Sequence, residues 1–309
     1  MKKVSVIGAG NVGASAVYYI AQSNIADVVM VDVVEGLPQA KALDFLHASP
    51  SIGCRVRIVG TNDYAEIADS DVVVHTAGIA RKPGMDRMDL LKTNVGIART
   101  AAQNIKRYAP NAIVIAVANP LDVIAMVMLR ETGFPKGRVV GMAGILDSTR
   151  FRYFIAERLG AQPSDVDAMV LGGHGDTMVP IARYTRVAGF PLEELLEADE
   201  IKALSDRTRT GGGEIVNYLK TGSAYYAPAA STAKMVEAVI TGETCVAPAS
   251  AYLDGEYGYT NIFLGVPVVL GAAGVERVLE LELSADEKSA LDRSADAVVQ
   301  GVRDLDSIS

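Results

Sequence analysis

A short β-branched run, Val4 to Ile7, passes directly into Gly8-Ala9-Gly10-Asn11-Val12-Gly13, and a helical stretch, Ala14 to Gln22, follows. A second apolar strand, Val28 to Val33, carries Asp32 near its end, about 20 residues past the turn. Few folds accept strand, glycine turn, helix, strand and acid in that order. It is the arrangement of a dinucleotide-binding βαβ unit. The first two glycines let the chain turn tightly and let a pyrophosphate approach the backbone N–H groups. The helix N-terminus supplies partial positive charge. Asp32 would accept hydrogen bonds from the adenosine ribose and repel a 2′-phosphate, and no Arg or Lys directly follows it. These features favour NAD over NADP. FAD could use the same turn.

The alternation continues. Arg55 to Val59, Asp71 to Thr76, Ala112 to Ala118 and Arg138 to Met142 read as strands, and Arg87 to Tyr108 and Asp122 to Thr132 as helices. Six strands with intervening helical segments predict an α/β fold: a doubly wound parallel sheet in the order 3-2-1-4-5-6. Ligands of such sheets bind beyond the carboxyl ends of the strands, where Gly78, Asn119 and Gly144 fall. Beyond residue 142 the simple alternation stops. Helices over Leu146–Leu159, Glu200–Lys220, Ala229–Ile240 and Ala285 to about Leu305 are interspersed with strands. These run over Asp165–Leu171, near Cys245–Tyr252 and over Val266–Leu270. Residues 1–142 are therefore expected to form the dinucleotide-binding domain and residues 143–309 a C-terminal α+β domain. No linker or repeat divides them, so close packing is expected.

Composition narrows the partners. The chain has 309 residues, with 29 Lys plus Arg against 37 Asp plus Glu, for a net charge of -8. Nucleic acid is an unsuitable partner for that balance. Cys54 and Cys245 form no CxxC pair and suit a reducing cytoplasm, although one bridge between them is compatible with the count. The Met1-Lys2-Lys3 start mimics a signal peptide, but the run behind it contains glycines and Asn11. Ala112 to Leu129 is apolar, yet Asn119, Pro120 and Asp122 break it into strand, turn and helix rather than a membrane span.

The chemistry points to Gly172-Gly173-His174-Gly175-Asp176, which follows an apolar run. The chain has three histidines, and this one sits among three glycines that leave room for a ligand. Histidine titrates near neutrality and suits proton transfer, although taken alone such a residue is more often an ordinary turn histidine. Gly78 to Arg87 carries three cations, two glycines and a proline after the fourth strand, as an anion-seeking lid or a solvated basic loop would. Asn119-Pro120-Leu121-Asp122 ends the fifth strand. Asp147 and Arg150 share a helix face at a spacing that also suits a plain ion pair.

These stretches occur together and in order: Gly8 to Gly13, Ala80-Arg81-Lys82-Pro83-Gly84-Met85, Asn119 to Asp122, Leu146-Asp147-Ser148-Thr149-Arg150 and Gly173 to Asp176. With them the chain resembles, over its whole length, the NAD-dependent malate dehydrogenases of the lactate-dehydrogenase-like type. The resemblance implies a Rossmann domain followed by a catalytic domain, a homodimer or homotetramer, and a cytoplasmic place in the tricarboxylic acid cycle. It implies that His174 takes the hydroxyl proton of malate while hydride goes to nicotinamide, and that Asp147 orients the imidazole. Arg150 would bind the carboxylate beside the reacting carbon. Arg87 would polarise the carbonyl and also bind substrate, and Asn119 would orient the substrate oxygen. Gly8, Ala9, Gly10, Asn11, Val12, Gly13, Asp32, Asn94, Val117, Ala118 and Asn119 would hold NAD, with Asn94 contacting cofactor or substrate. Lactate dehydrogenases typically carry Gln where this chain has Arg81. Arg81 therefore favours a dicarboxylate, malate or oxaloacetate, over lactate. The rivals are a lactate or other 2-hydroxy-acid dehydrogenase on the same scaffold and, from another class, an NAD-binding sensor without turnover. No Tyr is followed four residues on by Lys, as a short-chain dehydrogenase would need. His47, His75 and His174 lack metal-ligand spacing, so no metal is expected.

Overall fold

The computed structural model describes residues 1–79 and 87–308, with the Arg87 side chain outside that description. The first half runs β1 (Lys2–Ile7), α1 (Asn11–Gln22), β2 (Ala26–Val31), α2 (Leu37–Ile52), β3 (Ile58–Thr61), β4 (Val72–His75), α3 (Arg87–Tyr108), β5 (Ile113–Ala116), α4 (Leu121–Thr132) and β6 (Val139–Gly141). The second half opens on α5 (Gly144–Leu159). Five two-residue strands follow: β7 (Val166–Asp167), β8 (Val170–Leu171), β9 (Val179–Pro180), β10 (Arg186–Val187) and β11 (Phe190–Pro191). Then come α6 (Leu192–Leu195), α7 (Ala198–Leu219), α8 (Tyr226–Thr241), β12 (Cys245–Asp254), β13 (Thr260–Gly271), β14 (Gly274–Val278) and α9 (Ala285–Asp306).

The first six strands are parallel in the order β3-β2-β1-β4-β5-β6, as the alternation predicts. Their continuous apolar runs follow from burial on both faces. Side chains alternate along each strand, so neighbours enter opposite layers. Val72 and Val74 of β4 join Val17 and Ile20 of α1 and Met235 and Val239 of α8. Val73 joins Val95 and Ala102 of α3, Ile124 and Met128 of α4 and Leu305 of α9. Helices from the C-terminal half thus cover both faces of the N-terminal sheet. The sheet itself continues past β6. Ser250 of β12 pairs antiparallel with Gly141, and β13 and β14 extend the sheet to nine strands.

Some local expectations need correction. The strand expected over Asp165–Leu171 is two strands with different partners: β7 pairs with β10, and β8 with β9. The strand expected from Arg55 begins at Ile58. The Arg55 and Arg57 N–H groups donate instead to the side chains of Asn24 and Asp27, at 2.7 and 2.9 Å. Helix α1 begins at Asn11 rather than Ala14, so Gly13 is already helical. Both Cys54 and Cys245 are free thiols.

His75 ends β4 between Ile7 of β1 and Ala116 of β5 and is wholly buried. Neither ring nitrogen has a hydrogen-bond partner among the described residues. Burial disfavours its charged form and pulls its pKa down to about 4. The unfolded chain takes a proton near pH 6.5 that the folded chain refuses. The stabilisation is therefore complete above pH 6.5 and is lost as pH falls towards 4. Between pH 7 and 5 the wild type should lose about 2 kcal/mol that a His75→Val variant keeps, because each pH unit is worth about 1.4 kcal/mol. Urea unfolding of both proteins at the two pH values measures the difference.

Candidate active site

The crevice lies where β1 and β4 meet and the chain reverses its direction of travel across the sheet. Gly8 has φ +108°, and a Cβ on it would lie 2.7 Å from the Ala77 nitrogen and the Thr76 hydroxyl. At Gly13 a Cβ would stand 1.8 Å from the Gly8 carbonyl oxygen, so this glycine lets α1 close onto the turn. At Gly10 it would meet nothing within 4 Å. That open side is the N-terminus of α1, which has no side-chain cap, so its N–H groups are left for an anion. Asp32 sits just past β2. One carboxylate oxygen accepts from the Ala9 N–H at 2.6 Å and the other from the Val34 N–H at 2.9 Å. On the other side of Ala9, the Lys41 ammonium donates to its carbonyl at 2.7 Å. The turn and the acid are thus locked together, and the cradle fits a dinucleotide.

Gly10, Asn11, Val12, Val117, Ala118 and Asn119 line one cavity of about 400 Å³. Asn94 lies at its wall, with both ends of its amide bonded to backbone. Its Oδ1 accepts from the Ile79 N–H at 2.8 Å, and its Nδ2 donates to the carbonyls of Asn119 and Ile79 at 2.8 and 3.2 Å. It therefore ties the segment after β4 to the segment after β5. Asn119 is exposed and joined to Pro120 by a cis peptide bond. A smaller hollow of about 140 Å³ is walled by Pro120, Asp122, Gly173 and His174.

His174 Nδ1 donates to one oxygen of the Asp147 carboxylate at 2.9 Å, and Arg150 Nη1 donates to the other at 3.1 Å. Asp147 is 1% exposed, held by the first turn of α5. One buried carboxylate therefore serves two cationic side chains. With Nδ1 committed to Asp147, Nε2 is the ring atom left for proton transfer. Burial works against the imidazolium, but the charge and hydrogen bond of Asp147 outweigh it. Arg150 opposes that effect and Asp122 adds to it, and the His174 pKa ends above its ordinary value. Burial lowers the pKa of Arg150, and Asp147 pushes it back up. The guanidinium is flanked by α7, where a Cβ on Gly212 would stand 3.6 Å from Nη2. A large side chain there would crowd the arginine.

Sequence reading missed the frame behind His174. The Gly172 N–H donates to the Gly265 carbonyl at 2.8 Å, the Gly173 N–H to Ser294 Oγ at 2.9 Å and the His174 N–H to Asp122 Oδ2 at 3.0 Å. Three successive N–H groups are captured by β13, α9 and α4. Only the Asn-Pro-Leu-Asp stretch hinted at this, and Asp122 there reads as an ordinary helix-start acid. Of the expected residues, Arg81 lies outside the described residues, as does the Arg87 side chain at the start of α3.

Residues 2–141 match the lactate/malate dehydrogenase NAD binding domain, and residues 145–304 match the lactate/malate dehydrogenase alpha/beta C-terminal domain. This chain belongs to the lactate/malate dehydrogenase family. The family's NAD-binding domain is the half that carries the glycine turn and Asp32. The chain is 53% identical over 305 residues to the malate dehydrogenase of Desulforudis audaxviator, covering 99% of both chains. Among solved structures it superposes on the malate dehydrogenase of Salinibacter ruber with a TM-score of 0.95 at 48% identity, covering 99% of this chain and 98% of that one. It superposes equally, TM-score 0.95 at 43% identity and the same coverage, on a lactate dehydrogenase from Cryptosporidium parvum complexed with lactic acid and NAD. Family members of either substrate thus share this backbone, and the choice between substrates rests on side chains.

Proposed function

We propose that the chain is an NAD-dependent malate dehydrogenase, interconverting (S)-malate and oxaloacetate. The observation that carries the reading is the His174–Asp147–Arg150 constellation, in which buried Asp147 is shared at 2.9 and 3.1 Å by two half-buried partners. In this reading Gly8 to Gly13, Asp32, Val117, Ala118 and Asn119 hold NAD, and Asn94 braces that site. NAD, when bound, supplies the acceptor for the hydride of malate. His174 Nε2 takes the hydroxyl proton in that direction and returns it to oxaloacetate in the other. Arg150 holds the carboxylate next to the reacting carbon as a planar fork, so the oxygen to be protonated is presented to the imidazole. Arg87 stabilises negative charge developing on that oxygen, and Asn119 orients it.

Arg81 separates this reading from lactate dehydrogenase, because a second carboxylate needs a second cation and a methyl group does not. Arg81→Gln should lower kcat/KM for oxaloacetate by about one to two powers of ten, the worth of one hydrogen bond to a charged group. Pyruvate should gain, since no unpaired guanidinium would be enclosed over its methyl group. An unchanged oxaloacetate-to-pyruvate ratio would remove the support for a dicarboxylate.

The enzyme is further read as a cytoplasmic homodimer or homotetramer serving the tricarboxylic acid cycle. Exposed Tyr18 on α1, Leu43 and Leu46 on α2 and Tyr226 on α8 support self-association, as apolar side chains on neighbouring helices do. Free thiols support a reducing compartment. No helix among the described residues is long and apolar enough to cross a membrane.

A further inference from the structure

We propose that Lys41 is a positioning residue for the cofactor: from behind the glycine turn, its ammonium aims and strengthens the backbone donors that hold the NAD pyrophosphate. This inference rests on Gly8 to Gly13 being the pyrophosphate cradle.

Lys41 lies in the second turn of α2 and is half-buried. Its Nζ donates to the Ala9 carbonyl at 2.7 Å, across 32 residues of chain. The Ala9 N–H is taken by Asp32 Oδ2 at 2.6 Å. Ala9 is therefore clamped by an anion on its N–H and a cation on its carbonyl. That carbonyl shares a trans peptide group with the Gly10 N–H, and the two point opposite ways. With the carbonyl drawn towards α2, the Gly10 N–H is directed away from Lys41. No described residue accepts from it, and Gly10 lines the cavity at the uncapped start of α1.

A plain tie between α2 and the turn would not need a charge. A neutral donor could satisfy a neutral carbonyl, and Asp44 follows Lys41 on α2 at a spacing that suits an ordinary ion pair. The ammonium turns to the Ala9 carbonyl instead, and no carboxylate among the described residues pairs with it. The pyrophosphate of NAD is an anion, yet no described residue lining the cavity beside Gly10 to Gly13 is Lys or Arg. Lys41 brings a positive charge to within one peptide group of that cradle. An ammonium on a carbonyl also polarises the amide, which makes its N–H a better donor. The cation thus acts through the peptide as well as through space.

Lys41→Met removes the charge and the donor while keeping a good helix former and an apolar stem. Its KM for NADH should rise about tenfold, the lower end of what a hydrogen bond to a charged group is worth. KM for oxaloacetate should hold and kcat should not fall. The discriminating ligands are ADP-ribose, which carries the pyrophosphate, and adenosine, which lacks it. Competition against NADH fluorescence should show ADP-ribose weakened about tenfold in Lys41→Met and adenosine unchanged. Lys41→Arg, which keeps a cation, should recover most of the ADP-ribose affinity. Lys41→Gln, neutral and shorter, should show the same selective loss as Lys41→Met and carries the test if Lys41→Met does not fold. Loss of both ligands alike, loss of neither, or Lys41→Arg as weak as Lys41→Met overturns the inference. A wild type that holds ADP-ribose no more tightly than adenosine overturns the cradle reading as well.

Discussion

Replacing His174 with Asn should lower turnover by roughly 10²–10⁴-fold while NADH binding is nearly unchanged, the usual scale for losing a general acid–base group. Asn can still donate to Asp147 but has no group that titrates near neutrality. The loss should therefore appear in kcat more than in the NADH dissociation constant. The loop should keep its shape, because its anchors are the backbone N–H groups of Gly172, Gly173 and residue 174 itself. Fluorescence titration with NADH and single-turnover oxidation by oxaloacetate separate the two quantities. A variant that turns over at near wild-type rate would return His174 to an ordinary turn residue.

Asp147→Asn should cost nearly as much, up to about 10⁴-fold in kcat at neutral pH, for a different reason. Asp147 accepts from both His174 and Arg150, and only a carboxylate can accept on both oxygens. An amide must present its nitrogen to one of them, setting the wrong imidazole tautomer or leaving the arginine facing a donor. The pH dependence should change too. Reduction of oxaloacetate needs the protonated ring, so activity is complete below the His174 pKa and lost above it. Asp147 holds that pKa above its ordinary value, so its neutralisation should move the falling limb to lower pH. Rate–pH profiles of wild type and variant report the shift, and a limb that stays in place would deny Asp147 this role.

The parts of the fold legible in the sequence are those set by neighbours in the chain. The run from Val4 to Asp32 announces strand, turn, helix and acid because each step has a local cause. These are β-branching, glycine at φ +108° and an uncapped helix start. The parallel strand order follows because apolar runs alternating with helices have few arrangements. The short strands between Val166 and Pro191 were not legible, since two-residue strands carry no period and are defined only by distant partners. Nor was the passage of the sheet into β12, which depends on Ser250 meeting Gly141 across 109 residues of chain.

In the site, His174, Asp147 and Arg150 could be picked out because glycines, spacing and family resemblance converge on them. Asp122, Ser250 and Ser294 could not. Asp122 and Ser294 accept from backbone N–H groups far off in sequence and Ser250 donates to the Asp122 carboxylate, and any serine on an apolar strand or helix looks the same. Asn94 shows the remaining ambiguity. A polar residue on a helix facing a ligand crevice can touch the ligand or brace its walls, and here its amide is occupied by Ile79 and Asn119.

The central claim, a dehydrogenase that reads two carboxylates, is tested most directly by NADH oxidation with oxaloacetate and pyruvate side by side, under identical conditions. Arg150 can bind the carboxylate common to both, so only the group at the far end of the substrate differs. The second carboxylate should give oxaloacetate a kcat/KM advantage of at least about one to two powers of ten. Equal efficiency with the two, or preference for pyruvate, would contradict the account.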